Sequence, residues 1–245
     1  MAFSAKDNIV RLYRKIFCRG GYGIHSPFVF DLIINVIEER RQYYCYEKLH
    51  EALYQIKHDK RKVFLNGATV TMAKAARDNC LTENELRLLF RLANRFRPQT
   101  ILTAGSDFGT TAMYMTAFSS STQCIAIEPE QSVAAAARHF IKRFTQTQVE
   151  IVEDTFSNFY LPDNKKIDML MWGNSAKEHF DIDVLERLLP FLRESSVLII
   201  KDIRNGDIWK TVCTHPKVSV TIDLYNLGIV FFDPKLHRRT YKCVI

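Results

Sequence analysis

The sequence predicts a doubly wound α/β fold, a mostly parallel sheet with helices on both faces. Three observations predict it. The stretch Gln99–Phe118, QTILTAGSDFGTTAMYMTAF, reads as strand, glycine-containing turn and helix, with Gly105 and Gly109 set around Ser106, Asp107 and Phe108. From residue 82 onward, short apolar runs alternate with amphipathic segments of helical period, the pattern of parallel strands joined by crossover helices. The C-terminal segments 218–225, 227–233 and 239–244 are instead β-rich with short connections, which predicts antiparallel pairing at one sheet edge.

Composition fits this reading. Of the 245 residues, 47% are hydrophobic and 25% charged, the balance of a globular chain with a large core. No run of eighteen apolar residues occurs and the start, MAFSAKDNIVRLYRK, has no signal-peptide apolar core, so a cytoplasmic protein without membrane contact is expected. The six cysteines (Cys18, Cys45, Cys80, Cys124, Cys213, Cys243) form no C-x-x-C pair and do not cluster with histidine, and they read as reduced thiols. The net charge of +7 is uneven: residues 1–100 hold eighteen Lys and Arg against ten Asp and Glu, and the remainder sixteen against seventeen. A basic N-terminal third attracts nucleic acid, anionic substrates or membrane surfaces, or forms solvated helix faces, since no block of five like charges occurs.

In chain order, residues 5–18 have helical spacing of Ile9, Val10, Leu12, Tyr13, Ile16 and Phe17, and Gly20, Gly21 and Gly23 end that segment. Ser26-Pro27 opens a second helix running to Ile37, with Ser26 as N-cap and Pro27 in the first turn. A third helix spans residues 43–58. Val63-Phe64-Leu65 is a short apolar stretch, residues 66–69 a loop, and residues 70–79 a further helix. Thr82 and Glu85 form a capping box for a helix over residues 83–96, with Leu86, Leu89, Phe90, Ala93 and Phe96 on one face. The boundary between an N-terminal helical appendage or cap (residues 1–81), expected to cover the pocket and shape substrate access, and an α/β core (residues 82–245) is placed there. Core strands are expected at residues 100–104, 123–127, 149–152, 167–172 and 196–200, with helices over about residues 109–118, 131–144, 181–192 and 207–213.

The ligand crevice of an open α/β sheet lies outside the carboxyl ends of its strands. That brings together the Gly105–Gly109 turn, Glu128, Glu153-Asp154, Trp172 to Ser175, and Lys201-Asp202. The turn lacks the G-x-G-x-x-G spacing of a dinucleotide site and the G-K-[ST] of a P-loop. Glu128, just past the second core strand, is positioned to accept hydrogen bonds from both hydroxyls of a ribose, or else is a solvated loop carboxylate.

On these residues the chain resembles the class I S-adenosylmethionine-dependent methyltransferases, in particular O-methyltransferase-like proteins of a bacterial subgroup whose first motif reads I-L-E-[IL]-G-x-S-x-G-x-[ST]. The similarity covers about residues 82–234, the segment TIDLYNLGIVFF extends it, and HSPFVF resembles the subgroup's N-terminal appendage. The resemblance implies a Rossmann-like sheet of seven core strands, mostly parallel, with an antiparallel C-terminal edge hairpin. It implies S-adenosylmethionine as cofactor: Gly105, Ser106, Asp107 and Gly109 beside its methionine and ribose, Glu128 on the ribose, Asp154 or Thr155 toward the adenine, and Trp172 lining the pocket.

The departures carry information. Thr103 stands where the family's first motif has an acidic residue, and Asp107 is the candidate to reach the cofactor's ammonium in its place. Trp172-Gly173-Asn174-Ser175 stands where the family has an aspartate before Gly-Asn-His, and Lys201-Asp202 where it has an acidic pair. A hard cation wants several oxygen ligands, so metal-dependent chemistry is not expected. Lys201 is then a candidate general base, or the partner of Asp202 in a salt bridge, and the two are the candidate catalytic pair. The leading reading is methyl transfer to a small acceptor, to oxygen, without a metal. The rivals are a methyltransferase-like scaffold that has lost turnover and, held lower, a nucleic-acid methyltransferase. The sequence leaves the oligomeric state open, and a homodimer is compatible with it.

Overall fold

The computed structural model describes residues 10, 12–14, 18, 20, 21, 23–161, 165–173, 180–204 and 207–243. The helix expected over residues 5–18 therefore lies largely outside the described residues. Of it, Val10 and residues 12–14 are helical, and Arg14 reaches across the fold to the Asp223 carboxylate at 2.6 and 2.9 Å.

Helix α1 (Pro27–Leu32) begins as the sequence predicts, with Ser26 Oγ accepting from the Val29 amide at 3.4 Å and Pro27 in the first turn. It passes into a π-helical turn, Ile33–Ile37, whose last carbonyls accept from the buried Arg91 guanidinium at 2.5 and 3.1 Å. Helix α2 (Tyr46–His58) buries Leu49, Ala52, Leu53 and Ile56. Residues 62–71 depart from the expectation of a loop and then a helix from residue 70. Strands β1 (Lys62–Leu65) and β2 (Ala68–Thr71) form an antiparallel hairpin, turning at Asn66 (φ 52°) and Gly67 (φ 78°). Two consecutive positive φ values are what a two-residue hairpin turn requires, and Asn-Gly is the pair that adopts them at least strain. Helix α3 (Met72–Asn79) starts only after Thr71, which caps it. Helix α4 (Glu83–Phe96) has both arms of its capping box and buries Leu86, Leu89, Phe90 and Ala93.

The remaining elements are β3 (Thr100–Ala104), α5 (Thr110–Thr116), β4 (Gln123–Ile127), α6 (Gln131–Phe144), β5 (Gln148–Val152), β6 (Ile167–Trp172), α7 (Ile182–Leu188), β7 (Leu192–Lys201), α8 (Ile208–Thr214), β8 (Val220–Asp223), β9 (Leu227–Phe231) and β10 (Arg239–Lys242). The expected helix over residues 181–192 stops at Leu188 with a 3₁₀ turn to Phe191, and β7 starts at Leu192 rather than Ser196. Among the described residues the ten strands make the hairpin and one eight-stranded sheet, one strand more than the seven expected, of order β10-β8-β9-β7-β6-β3-β4-β5. Strands β5, β4, β3, β6 and β7 are parallel, and β9 runs antiparallel between β7 and β8.

The third C-terminal segment corrects the expectation that all three pair antiparallel, because β10 is parallel to β8. Both edges of β9 are already taken, so within the C-terminal segment pairing is left to the outer edge of β8. Arg238 holds the returning chain at the start of β8 by donating to the Val218 carbonyl at 3.0 Å, so β10 begins where β8 begins and runs with it.

The central strands are buried on both faces. Ile101 of β3 joins the apolar cluster under α4, α5 and α6, and Leu102 joins the one under α7 and α8. Leu49, Ile56 and Met72, from before residue 81, pack in the same cluster as Phe90, Met113 and Met169. Among the described residues no helix is long and apolar enough to cross a membrane.

Candidate functional site

Parallel strands put the carboxyl ends of β5, β4, β3, β6 and β7 on one side, and backbone bonds continue past the strand ends to fix the loops there. The Gly173 amide donates to Ala104 O at 2.9 Å, Gly105 to Ile127 O at 2.8 Å, and Glu128 to Val152 O at 2.9 Å. The first four loops predicted to share a site are thus stitched one to the next.

The turn after β3 is strained. Gly105 (91°), Asp107 (46°), Phe108 (58°) and Gly109 (86°) all have positive φ, although Asp107 and Phe108 carry side chains and are buried. Each such non-glycine residue costs on the order of 1 kcal/mol, and strain of this kind gathers where function over-determines the backbone. Gly109 also lets the turn pack on α6: a Cβ there would sit 2.9 Å from Ile141 Cγ1 and 3.2 Å from Ala137 O.

Glu128 is the electrostatic centre of the loops. It is completely buried, and its Oε2 accepts from the Ser106 amide at 3.0 Å and from Ser106 Oγ at 2.7 Å, while Oε1 accepts from the Glu130 amide at 3.2 Å. Burial pushes its carboxyl up to about 7; the bonds from Ser106 and Glu130 oppose the shift and the nearby Asp107 adds to it. Asp107 Oδ2 accepts from Thr111 Oγ1 at 3.2 Å and would lie 3.5 Å from a Cβ on Gly173, so it points across to the end of β6. Its carbonyl accepts from Thr110 Oγ1 at 2.8 Å and from Cys80 Sγ at 3.5 Å. Thr103, at the position of the missing acidic residue, is completely buried and its hydroxyl has no protein partner.

The other predicted site residues lie around this centre. Asp154 and Thr155 follow β5, half-buried, with the Thr155 amide donating to Asp154 Oδ1 at 2.7 Å. Trp172 is buried edge-on against Phe156 (4.9 Å between ring centroids) and Phe180 (5.3 Å). Lys201 Nζ donates to the Asn79 carbonyl, a cation at the C-terminus of α3, where the unsatisfied carbonyls favour positive charge. Asp202 has a left-handed backbone (φ 56°) and its amide donates to Asn226 O at 2.7 Å. Asn174 and Ser175 lie outside the described residues. Among the described residues no group of three or more His, Cys, Asp or Glu could hold a metal ion.

Sequence reasoning did not single out the bonds that the N-terminal segment makes here. The Asn66 amide donates to Glu130 Oε1 at 3.0 Å, and Asn79 and Cys80 contact Lys201 and Asp107. The Asn66-Gly67 pair was the available signal for the first; the second has none, since Asn79 and Lys201 are 122 residues apart.

No family model and no curated protein matches the chain. Solved structures do. A methyltransferase of Podospora anserina with SAH bound aligns at TM-score 0.57 and 10% identity, over 95% of this chain and 97% of its own. An O-methyltransferase of Streptomyces achromogenes involved in tomaymycin synthesis, in complex with SAM, aligns at TM-score 0.54 and 14% identity, over 95% and 99%. An O-methyltransferase of Bacillus cereus in complex with SAH aligns at TM-score 0.53 and 14% identity, over 83% and 95%. Likeness over nearly the whole of each chain at this level of identity concerns architecture: the chain has the fold of the class I S-adenosylmethionine-dependent O-methyltransferases.

Proposed function

We propose that the protein transfers the methyl group of S-adenosylmethionine to an oxygen of a small acceptor, without a metal. The observation that carries the reading is the buried Glu128 carboxylate, held at the end of β4 against the strained turn that follows β3. The residues fit the cofactor. A carboxylate accepts the two ribose hydroxyls once Ser106 yields its bonds, and the unpartnered Thr103 hydroxyl supplies a further polar group at the end of β3. Asp107 is the candidate partner of the ammonium, Gly105 and Gly109 shape the turn, and Asp154, Thr155 and Trp172 are assigned to the adenine side.

When bound, the cofactor supplies a methyl group already activated by its sulfonium. The chain's own task is then positioning: holding an acceptor oxygen in line and excluding water. Lys201 and Asp202 are assigned to the acceptor. In support, the Lys201 ammonium has three donors and gives one to Asn79, which fixes its position and leaves others for an acceptor oxygen as negative charge develops there. The helices and hairpin before residue 81 are proposed to form a unit that covers the pocket, a role supported by the bonds from Asn66 and to Asn79.

Calorimetric titration with S-adenosylmethionine and S-adenosylhomocysteine tests the reading. Binding that weakens on Glu128→Ala is expected, and no binding at millimolar ligand refutes it. One observation favours a second reading, a scaffold that has lost turnover: Glu128 and Trp172 are both enclosed by protein, the first by Ser106 and Glu130 and the second by Phe156 and Phe180. Absence of cofactor binding, or binding without methyl transfer to any hydroxylated acceptor, is the outcome that reading expects.

A further inference from the structure

Two neighbouring segments of the fold carry a local surplus of positive charge. Residues 57–78 and 131–144 hold nine Lys and Arg against two Asp, a surplus equal to the net +7 of the whole chain. These two segments lie side by side. Strand β1 runs along α6: the Phe64 amide donates to Ser132 Oγ at 2.8 Å, Ser132 Oγ donates back to Phe64 O at 2.9 Å, and the Arg61 guanidinium sits 5.8 Å from the Phe140 ring centroid. On β1 the burial alternates, with Lys62 and Phe64 outward and Val63 and Leu65 inward. Lys62 pairs in register with Thr71, whose hydroxyl accepts from the Lys74 amide, and this brings the first turn of α3 alongside.

Lys60, Lys62, Lys74, Arg77, Lys142 and Arg143 are all exposed, and among the described residues none of the six has an ion-pair partner. Of the two acids in these segments, Asp59 is neutralised by Arg61 at 2.6 Å. Phe64, two residues beyond Lys62 and on the same outward side of β1, is 50% exposed. From Arg61 to Asn66 the ridge covers about 16 Å at ~3.3 Å per residue. It ends at the candidate crevice, where Asn66 bonds Glu130 and Glu130 bonds Glu128.

We propose that this ridge is a docking surface for single-stranded nucleic acid, its cations neutralising backbone phosphates and the Phe64 ring stacking on a base. A group of exposed cations with an exposed aromatic ring at its end matches that chemistry. An anionic bilayer asks for something else, an apolar helix face to insert, and α3 and α6 both turn their apolar residues into the core. The proposal concerns docking and stands apart from the identity of the methyl acceptor.

Fluorescence anisotropy with a labelled single-stranded RNA of about 20 nucleotides tests it, at salt between about 50 and 200 mM, with phosphatidylserine-containing vesicles as the competing surface. Binding should show a slope of log K against log salt of about −3, and the Lys60→Gln/Lys62→Gln variant should reduce that slope by about 1.4. Phe64→Ala should lower affinity about tenfold with the slope unchanged. The positions are exposed, so thermal unfolding of the variants should match the wild type, and S-adenosylhomocysteine titration of the same samples reports the cofactor site separately. Absence of RNA binding at the lowest salt overturns the proposal, as does an unchanged slope in the double variant. Vesicle binding as tight as RNA binding together with an inert Phe64→Ala overturns it in favour of a membrane surface.

Discussion

Lowering the pH from about 8 to about 6 should weaken S-adenosylhomocysteine binding about tenfold if Glu128 receives the ribose. The hydroxyls of a ribose donate, so they need the carboxylate form, and burial has lifted the Glu128 carboxyl from 4.5 to about 7. With that value roughly nine-tenths of the protein carries the carboxylate near pH 8 and roughly one-tenth near pH 6, and the ratio of the two sets the loss. The ligand's carboxyl titrates well below this interval and its ammonium, that of a free amino acid rather than a peptide terminus, above it. Asp107 and Glu130 are the charged neighbours, and Asp107 acts in the same direction by disfavouring a second negative charge. Isothermal titration across this range, in two buffers of different ionisation enthalpy, reads both the affinity and the proton released, which should approach one per ligand near pH 6. Glu128→Gln should bind weakly and with no pH dependence. An affinity that stays within about twofold from pH 8 to 6, or a slope retained in the Gln variant, refutes the assignment.

The same shifted group makes stability pH-dependent. Because its folded value lies above its unfolded one, the folded protein keeps a proton that the unfolded chain releases, so this contribution is whole below about pH 4.5 and is lost as pH rises through about 7. Urea unfolding should therefore show Glu128→Gln gaining up to about 3 kcal/mol on the wild type between pH 4.5 and 8, and parallel profiles would contradict the burial argument. Ser106→Ala deletes the hydroxyl donor to Glu128 Oε2 and should destabilise by about 1.5–3 kcal/mol at pH 8, measured the same way. Gly109→Ala must hold a φ of 86° and push a Cβ toward Ile141 and the Ala137 carbonyl, so a loss of about 2 kcal/mol or more in thermal or urea unfolding is expected. Adding Ile141→Ala should recover only part of that loss, because the carbonyl cannot move aside.

How much of this architecture is legible in the sequence depends on how local each determinant is. The capping box of Thr82 and Glu85 and the start at Ser26-Pro27 involve neighbours within one turn, and both form as read. The strand–turn–helix at Gln99–Phe118 is equally legible, since its glycines answer a local demand for positive φ. Asn66-Gly67 makes the same kind of local demand, but its flanking strands are only four residues each and the second is almost wholly exposed, so no apolar alternation marks the hairpin. The direction of β10 is not legible at all, because it depends on which edges of β9 and β8 are already occupied.

The site divides along the same line. That Glu128 stands beside the glycine turn can be read from strand order, because successive parallel strands end on one side. That its carboxylate is wrapped by Ser106 and Glu130 cannot, nor that Lys201 gives a donor to Asn79 from the N-terminal segment. These side-chain pairings decide whether the crevice admits a cofactor freely or only after Ser106 lets go. Ser106→Ala therefore separates the two: a variant less stable than wild type yet tighter for S-adenosylhomocysteine means that the Ser106 bonds compete with the ribose. One that loses stability and affinity together means that Ser106 holds Glu128 in the position from which it binds.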